Sequence, residues 1–266
     1  MTRTSEKAEP PKRPFWTGRI SLGLVNVPVK VLTMIRDKSF SFKFLRKDDG
    51  CPLKYNRVCS QDGKIVEWDD IVRGYEVRKD EFVMFTKEEL QALRPESDQK
   101  IRLDKFVHFL SIDPIYFDKS YILVPDKSED AYSLLLETLK TQGLAGIGML
   151  ALRNKEHPAL VHEYKDILVL TILRYAYEIV DPADIEELQK LPKPKDEELK
   201  LATTIIENLS GEFDITEYRD TFKERVESLI EKKMKGETII IEEPKKEEVK
   251  ELMVALKETL AQLQEK

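Results

Sequence analysis

The stretch FWTGRISLGLVNVPVK (15–30) decides the fold of this chain. Isoleucine, leucine and valine recur along it, as in a strand with one buried face. Glycine inside a strand marks a bulge, a bend or a close backbone approach, and proline is confined to edges and bulges. Gly18, Gly23 and Pro28 therefore predict a strongly bent strand that opens a closed antiparallel barrel, with Lys30 leaving the bend as a fixed cation. An ordinary strand with two packing glycines fits the local chemistry equally well.

The composition is that of a globular protein without a membrane segment. Of the 266 residues, 41% are hydrophobic and 35% are charged, so the chain can bury a substantial core. No run approaches the roughly 18 apolar residues of a membrane helix, and residues 1–13 lack the apolar centre of a signal peptide. Two cysteines do not make a disulfide framework, so a reducing compartment fits. We expect a cytoplasmic protein with no membrane partner.

The charges are distributed unevenly along the chain. The formal net charge is −6, which by itself argues against a nucleic-acid partner. Residues 11–60 nevertheless carry eleven cations and three anions, a net charge of +8. Residues 181–266 carry 15 cations and 23 anions, a net charge of −8. The N-terminal region can therefore present a basic surface on an acidic protein. The alternative is that these cations only solvate strand faces.

Short β runs follow the opening stretch, and helices dominate the end of the chain. In SFSFKFLR (39–46) phenylalanines alternate with serine and lysine, as in a half-buried strand. Further strands are predicted over 53–59, 64–68, 73–77, 81–85, 101–110, 120–125, 143–150 and 167–177. Capping signals and apolar stripes predict helices over 87–93, 129–142, 196–209 and 245–264, and another that ends at Gly236. No internal repeat is visible.

These elements predict an α+β fold. Residues 1–13 are expected to be a disordered N-terminal arm. An antiparallel β-barrel core with closing helices should occupy 14–236. A short C-terminal region with an amphipathic helix should follow over 237–266.

No catalytic or metal-binding constellation is visible. His108, His157 and His162 are scattered, and no serine or cysteine stands in a nucleophile motif. A structural zinc site needs four ligands, usually in two close pairs, whereas Cys51 and Cys59 are single thiols. We therefore predict a protein without enzymatic activity, cofactor or metal.

Cations on or beside predicted strands favour nucleic-acid binding. A rigid scaffold can match phosphate positions at little cost in ordering entropy. Because no cation-rich recognition helix is evident, reading of base edges in the major groove is not indicated. The sequence predicts binding without sequence preference that weakens steeply with salt. Phe40, Phe42 and Phe44 leave open the alternative of a single-stranded nucleic-acid or RNA-binding barrel that stacks bases on aromatic rings.

Five segments resemble, in the same order, the prokaryotic Ku proteins, which bind broken DNA ends. They are WTGRISLGLVNVPVK (16–30), RVCSQDG (57–63), DPIYFDKSYILVPD (113–126), LALRNKEH (150–157) and DTFKERVESLIEKKMKG (220–236). The resemblance covers the chain from Phe15 onward. It implies a homodimer whose barrels and bridging arch close a ring, through which duplex DNA threads from a free end. Cations inside the ring and acids outside it would let an acidic protein hold DNA.

The resemblance also implies which side chains contact DNA. The cations in closely matching motifs are Lys30, Arg73, Arg153 and Lys155, and those in looser matches are Arg36, Lys43, Arg57 and Arg174. Some relatives carry further cysteines near Cys59 that resemble a zinc ribbon, whereas this chain has serine, glutamine and aspartate in that turn.

The last helix resembles the region through which bacterial relatives engage an ATP-dependent DNA repair ligase of the ligase D type. Its partner-facing residues would be Leu252, Leu256, Leu260 and Leu263. The alternative is a helix docked on its own core. The function implied by the resemblance is to protect and hold DNA ends in non-homologous end joining and to recruit the ligase.

Overall fold

The computed structural model of the chain describes residues 13–93, 99–152, 155–237 and 252–264. The chain divides into two compact units. The first contains residues 1–38 and 42–180, and the second contains residues 39–41 and 181–266. The N-terminal arm predicted to be disordered comprises residues 1–13, and residues 1–12 lie outside the described part of the chain. The predicted domain boundaries stay a prediction.

Nine strands lie in the described part of the first unit. They are β1 (Trp16–Leu22), β2 (Val25–Thr33), β3 (Arg73–Arg78), β4 (Glu81–Phe85), β5 (Lys100–His108), β6 (Phe117–Pro125), β7 (Leu144–Leu152), β8 (Lys155–Tyr164) and β9 (Ile167–Leu173). β3 and β4 form a separate two-stranded sheet, and the other strands form a closed barrel in the order β1-β2-β6-β9-β8-β7-β5. β1 and β5 close the barrel as a parallel pair, whereas the other barrel pairs are antiparallel. The expected barrel is confirmed, with this one parallel junction as the exception.

The described helices are distributed over both units. They are α1 (Lys87–Ala92), α2 (Glu129–Gln142), α3 (Glu186–Gln189), α4 (Asp196–Leu209), α5 (Thr221–Met234) and α6 (Leu252–Gln264). The first two belong to the first unit and the other four to the second. The bounds predicted for α2 and α4 are confirmed, whereas residues 245–251 of the predicted last helix lie outside the described residues.

The opening stretch forms a β-hairpin rather than one bent strand. β1 ends at Leu22, β2 begins at Val25, and each residue of β1 pairs with a residue of β2. Gly23 has a φ of +57° in the two-residue turn between them. Side chains disfavour this conformation, so the glycine marks a reversal of the chain. The prediction of a single strand was wrong because a turn glycine was interpreted as a bulge.

Gly18 is the packing glycine of the pair. A Cβ atom there would lie 2.3 Å from the Gln99 carbonyl oxygen and 2.2 Å from the Trp16 ring. The Arg19 amide donates to the same Gln99 carbonyl at 3.0 Å. A side chain at position 18 would therefore push apart the strands that close the barrel.

The main core fills the barrel and continues onto one face of α2. Its buried members include Ile20, Val27, Val29, Ile101, Leu123, Leu150, Val161, Leu168 and Leu170. Tyr132 of α2 donates its hydroxyl proton to the Leu123 carbonyl at 2.9 Å and accepts the Leu168 amide at 2.8 Å. Burial raises the pKa of this tyrosine. One side chain thus links α2 to both β6 and β9.

A smaller cluster lies on the opposite face of the barrel wall. It contains Ala145, Leu160 and Leu173, packed against residues of the segment 109–117. Because Leu160 belongs to this cluster while Val161 belongs to the main core, β8 is covered on both faces.

The start of α2 has an unexpected hydrogen bond. Ser128 occupies the N-cap position, as predicted, but its hydroxyl donates to the Pro28 carbonyl at 2.6 Å and does not cap the helix. Gly143 ends α2 with a φ of +62°. The serine therefore joins α2 to β2.

Residues 42–92, here called the extension, contain no buried side chain. The strands predicted over 39–46, 53–59 and 64–68 do not form, and only isolated bridges join Leu45 to Pro52 and Val58 to Ile65. Alternation of apolar side chains is insufficient for a strand when no neighbouring strand supplies hydrogen bonds. β3 and β4 confirm the strands predicted over 73–77 and 81–85.

A predicted capping box ends the extension. The Glu89 amide donates to the Thr86 hydroxyl at 3.1 Å, and the Thr86 amide donates to the Glu89 carboxylate at 2.8 Å. These reciprocal bonds satisfy two amides at the start of α1, as the sequence predicted.

The second unit is helical and has no buried residue among those described. α6 packs against α4. Apolar side chains of α4 and α5 remain exposed, among them Ile206, Leu209, Phe222 and Met234.

Candidate nucleic-acid interface

Lys30 is held on the outer face of the barrel. Its neighbours Val29 and Val31 are buried in the core, so the lysine projects from the other face of β2. The ammonium nitrogen lies 2.7 Å from Oδ1 of Asp126, directly after β6, and the lysine side chain is 41% exposed. This ion pair fixes the direction of Lys30 while its side chain stays partly exposed.

The strand register places further cations beside Lys30. Arg19 of β1 pairs with Pro28, two residues from Lys30, and Lys100 of β5 pairs with Arg19. Arg102 follows two residues along β5. Sequence reasoning missed Arg19, Lys100 and Arg102 because the parallel junction joins segments about 80 residues apart. For Arg19 a signal exists, since it alternates with the apolar Ile20 and Leu22.

Lys155 lies on another face, near the same end of the barrel. It begins β8 and pairs with Leu152, the last residue of β7. β7 in turn pairs Leu150 with Ile101 of β5, so the register brings Lys155 within two strands of Lys100. Arg153 falls in the turn outside the described residues, and its assignment stays a prediction.

Arg174 makes structural contacts that the sequence did not predict. Its guanidinium donates to the Ile115 carbonyl at 3.1 Å, to the Phe117 carbonyl, and to Oδ1 of Asp118 at 3.3 Å. The Arg174 amide also donates to the Tyr116 carbonyl at 2.7 Å. Three of these partners are backbone carbonyls, so Arg174 ties the segment before β6 to the end of β9.

The remaining predicted cations lie in exposed segments. Arg36 and Lys43 lie outside regular secondary structure, and Arg73 begins β3. The Arg57 guanidinium carbon lies 4.2 Å above the centroid of a Trp68 ring. This cation–π contact orients the arginine without consuming its hydrogen-bond donors. The structure thus groups Lys30 with newly found barrel cations and leaves the predicted set dispersed.

The extension contains two equivalent turns thirteen residues apart. In the first, the Arg46 amide donates to the Cys51 carbonyl and the Gly50 amide donates to the Arg46 carbonyl, both at 2.9 Å. In the second, the same two bonds join Cys59 to Lys64 at 2.8 Å and Gly63 to Cys59 at 2.9 Å. The two turns thus share a backbone hydrogen-bond pattern, although no internal repeat is visible in the sequence.

Salt bridges support both turns. Asp49 pairs with Arg46, and this guanidinium lowers the pKa of the carboxyl group. Asp62 lies 3.1 Å from the Lys64 ammonium, and the Lys64 amide is the main cause of its lowered pKa. A cation thus neutralises each carboxylate. In the described ranges, no three His, Cys, Asp or Glu side chains are grouped so that they could hold a metal ion.

His162 belongs to a buried polar chain. Its Nδ1 lies 2.9 Å from the Glu163 carbonyl, its Nε2 lies 3.3 Å from the Thr171 hydroxyl, and that hydroxyl lies 2.9 Å from Ser120 Oγ. Because a carbonyl only accepts, Nδ1 carries the proton of the neutral ring and Nε2 accepts from Thr171. Phe109 stacks on the ring at 4.6 Å. Burial is the main cause of the lowered pKa of His162, so the histidine is a structural residue of the barrel wall.

The described part of α6 is partly covered by its own unit. Leu256 and Leu260 are half-buried on the helix that packs against α4, whereas Val254 is exposed. The side chains of Leu252 and Leu263 lie outside the described part. In the structure, α6 therefore contacts α4 of its own unit, and its assignment as the ligase contact stays a prediction.

The helices of the described ranges differ in length and apolar character. None is long and apolar enough to cross a membrane.

Comparison with known proteins decides the family. A family model described as the Ku70/Ku80 beta-barrel domain matches residues 21–201, more than half of the chain. The chain belongs to the Ku family. The Ku match begins within β1 and extends through the barrel and the extension into α4.

Curated Ku relatives are similar over nearly the whole chain. A Bacillus subtilis protein is 34% identical over 251 residues, which cover 92% of this chain and 81% of the relative. An Anaeromyxobacter protein is 37% identical over 253 residues, covering 94% and 85%. An Archaeoglobus fulgidus protein is 35% identical over 249 residues, covering 93% and 98%. Each of them is named non-homologous end joining protein Ku.

Proposed function

We propose that this protein binds the ends of double-stranded DNA, without sequence preference, in non-homologous end joining. The observation that carries the proposal is the similarity to proteins of that name over more than nine-tenths of the chain. The barrel adds physical support, because the partly exposed side chain of Lys30 projects from a strand held on both sides by other strands. Contacts from such positions to phosphates are insensitive to base sequence.

The active form is a homodimer that closes a ring around the duplex. Support comes from the extension, which exposes apolar side chains that a single chain leaves in water. Tyr75 is 68% exposed, and Met84 is 71% exposed. A two-stranded sheet such as β3–β4 is at best marginally stable alone. A second copy that covers these side chains would stabilise the extension as the arch of a ring.

The protein acts by binding and has no catalytic role. It protects and holds the ends, and it recruits an ATP-dependent DNA repair ligase of the ligase D type. α6 is the proposed ligase contact. Leu256 and Leu260 are half-buried in the described structure, so ligase binding would use the exposed side of α6 or would displace it from α4.

A second candidate function is binding of single-stranded nucleic acid or RNA. Phe42 and Phe44 favour it, because both rings are more than two-thirds exposed and lie outside regular strands. Exposed aromatic rings can stack bases of a flexible strand.

Competition for a labelled blunt duplex distinguishes the two candidates. The protein is first bound to a 30-base-pair duplex, and unlabelled duplex, single-stranded DNA or RNA of equal length is then added. Under the proposed function, only the duplex competes efficiently. Stronger competition by either single strand would overturn it in favour of the second candidate.

A further inference from the structure

The parallel junction between β1 and β5 creates a polar outer face, here called the junction face. It comprises Thr17, Arg19 and Ser21 of β1, Asn26 and Lys30 of β2, and Lys100 and Arg102 of β5. These residues share one face because the residues between them, Ile20, Val27, Val29 and Ile101, are buried in the core. Four of the seven side chains are cations.

The register places these groups close together. Arg19 is paired directly with Lys100, Ser21 with Arg102, and Thr17 with Lys30. Neighbouring strands lie about 4.8 Å apart, and alternate residues of one strand about 7 Å apart. The four cations therefore form a compact set held by the hydrogen bonds that close the barrel.

Two carboxylates of the described residues border the junction face. Asp126 pairs with Lys30, and Asp104 follows Arg102 at the bulge of β5. The cations outnumber these carboxylates by four to two. Against these two carboxylates the junction face carries an excess of positive charge, although the whole chain is acidic.

We propose that the junction face is a binding surface for the phosphate backbone of duplex DNA, with Arg19 and Arg102 as contacts in addition to Lys30. This inference rests on the proposed function and names part of its site. Arginine, lysine, threonine, serine and asparagine are the side chains that bind DNA phosphates and sugars. Protein interfaces instead concentrate aromatic and aliphatic side chains at their centre, which makes an acidic protein partner the less fitting occupant.

The size of the effect follows from counter-ion release. Each phosphate contact releases about 0.9 counter-ions, so it makes log affinity fall by about 0.9 for each tenfold rise in salt concentration. Relative to a reference of about 1 M salt, the loss of one contact therefore lowers the affinity at 0.15 M salt roughly fivefold. The variant R19E/R102E should therefore bind a 30-base-pair blunt duplex at least about 25-fold more weakly at 0.15 M salt. The slope of log affinity against log salt concentration should become shallower by about 1.8.

The matched control is K165E, because Lys165 is an exposed cation in the turn between β8 and β9. It should bind within about twofold of wild type, since it removes no phosphate contact. R19Q/R102Q removes the two cations without adding acids, so it replaces R19E/R102E as the test if the reversed charges impair folding. It should give the same shallower slope of log affinity against log salt concentration. Melting temperature and oligomeric mass are measured for each variant.

Three outcomes decide between the possibilities. A lower DNA affinity and a shallower slope of log affinity against log salt concentration, at unchanged oligomeric mass, support the junction face as the DNA-binding surface. Wild-type affinity in both double variants overturns the inference that the junction face binds DNA. The proposed function still stands in that case, provided that the wild-type protein binds DNA ends. A change of oligomeric mass at unchanged slope also overturns the inference, because the face would then bind the acidic helical unit of a second copy.

Discussion

Replacing Arg174 with alanine should destabilise the first unit. The guanidinium donates to two backbone carbonyls and to the Asp118 carboxylate, across the segment that precedes β6. Hydrogen bonds that involve a charged group contribute about 1.5–3 kcal/mol each. Because the arginine side chain is 41% exposed, water can replace part of these bonds, and we expect a loss of about 2–4 kcal/mol in the free energy of unfolding.

The assay is equilibrium denaturation of wild type, R174A and R174K. R174K keeps the positive charge, but an ammonium group cannot reproduce the planar fork, so it should recover only part of the loss. R73A is the matched control, since Arg73 is exposed on β3 and should change the free energy by less than about 0.5 kcal/mol.

A free energy of unfolding within about 0.5 kcal/mol of wild type in R174A would refute the structural role. Loss of DNA affinity in that fully stable variant would instead restore Arg174 to the DNA-contacting set implied by the resemblance.

Three further predictions use single side chains. D126N should raise DNA affinity about fivefold at 0.15 M salt, because it removes the carboxylate that competes with phosphate for Lys30. Weaker DNA binding by D126N would show that Asp126 serves mainly to orient the lysine. His162 should make the free energy of unfolding rise with pH, because burial lowers the pKa of this histidine in the folded protein. The contribution of His162 to stability is complete above about pH 6.5 and is lost below that pH, where the unfolded chain takes up the proton. H162Q should remove this part of the pH dependence in denaturation curves. Y132F should cost about 1–3 kcal/mol of unfolding free energy, since it leaves a buried amide without an acceptor, and an unchanged denaturation midpoint would contradict this.

Local signals predicted the helices well. The bounds of α2 and α4 follow from apolar stripes and end signals within each segment, and the Thr86–Glu89 capping box forms as expected. In these cases the bonds that define the element join residues a few positions apart. Sequence alone therefore contains the required information.

Long-range pairing was the main source of error. In 15–30, periodicity could not tell a bulge at Gly23 from a reversal of the chain. In 39–46, alternating phenylalanines predicted a strand, but the structure forms there an isolated bridge from Leu45 to Pro52 in place of a strand, and Phe42 and Phe44 stay exposed. A strand depends on a partner that its own sequence does not specify.

The same reason limited the site prediction. Lys30 was identified from its motif, but its ion pair with Asp126 depends on the pairing of β2 with β6. Arg19 and Lys100 meet only because β1 and β5 close the barrel. The contacts of Arg174 likewise depend on how the segment before β6 lies against the end of β9.

Competition by DNA without ends tests the central claim most directly. The protein is bound to a labelled blunt duplex and challenged with one plasmid, either as a closed circle or cut once to a linear form. Linear DNA should displace the label in proportion to its ends, and the closed circle should compete poorly, because a ring can admit duplex only from a tip. Equal competition by the two forms, at equal mass of DNA, would contradict a ring that loads from ends.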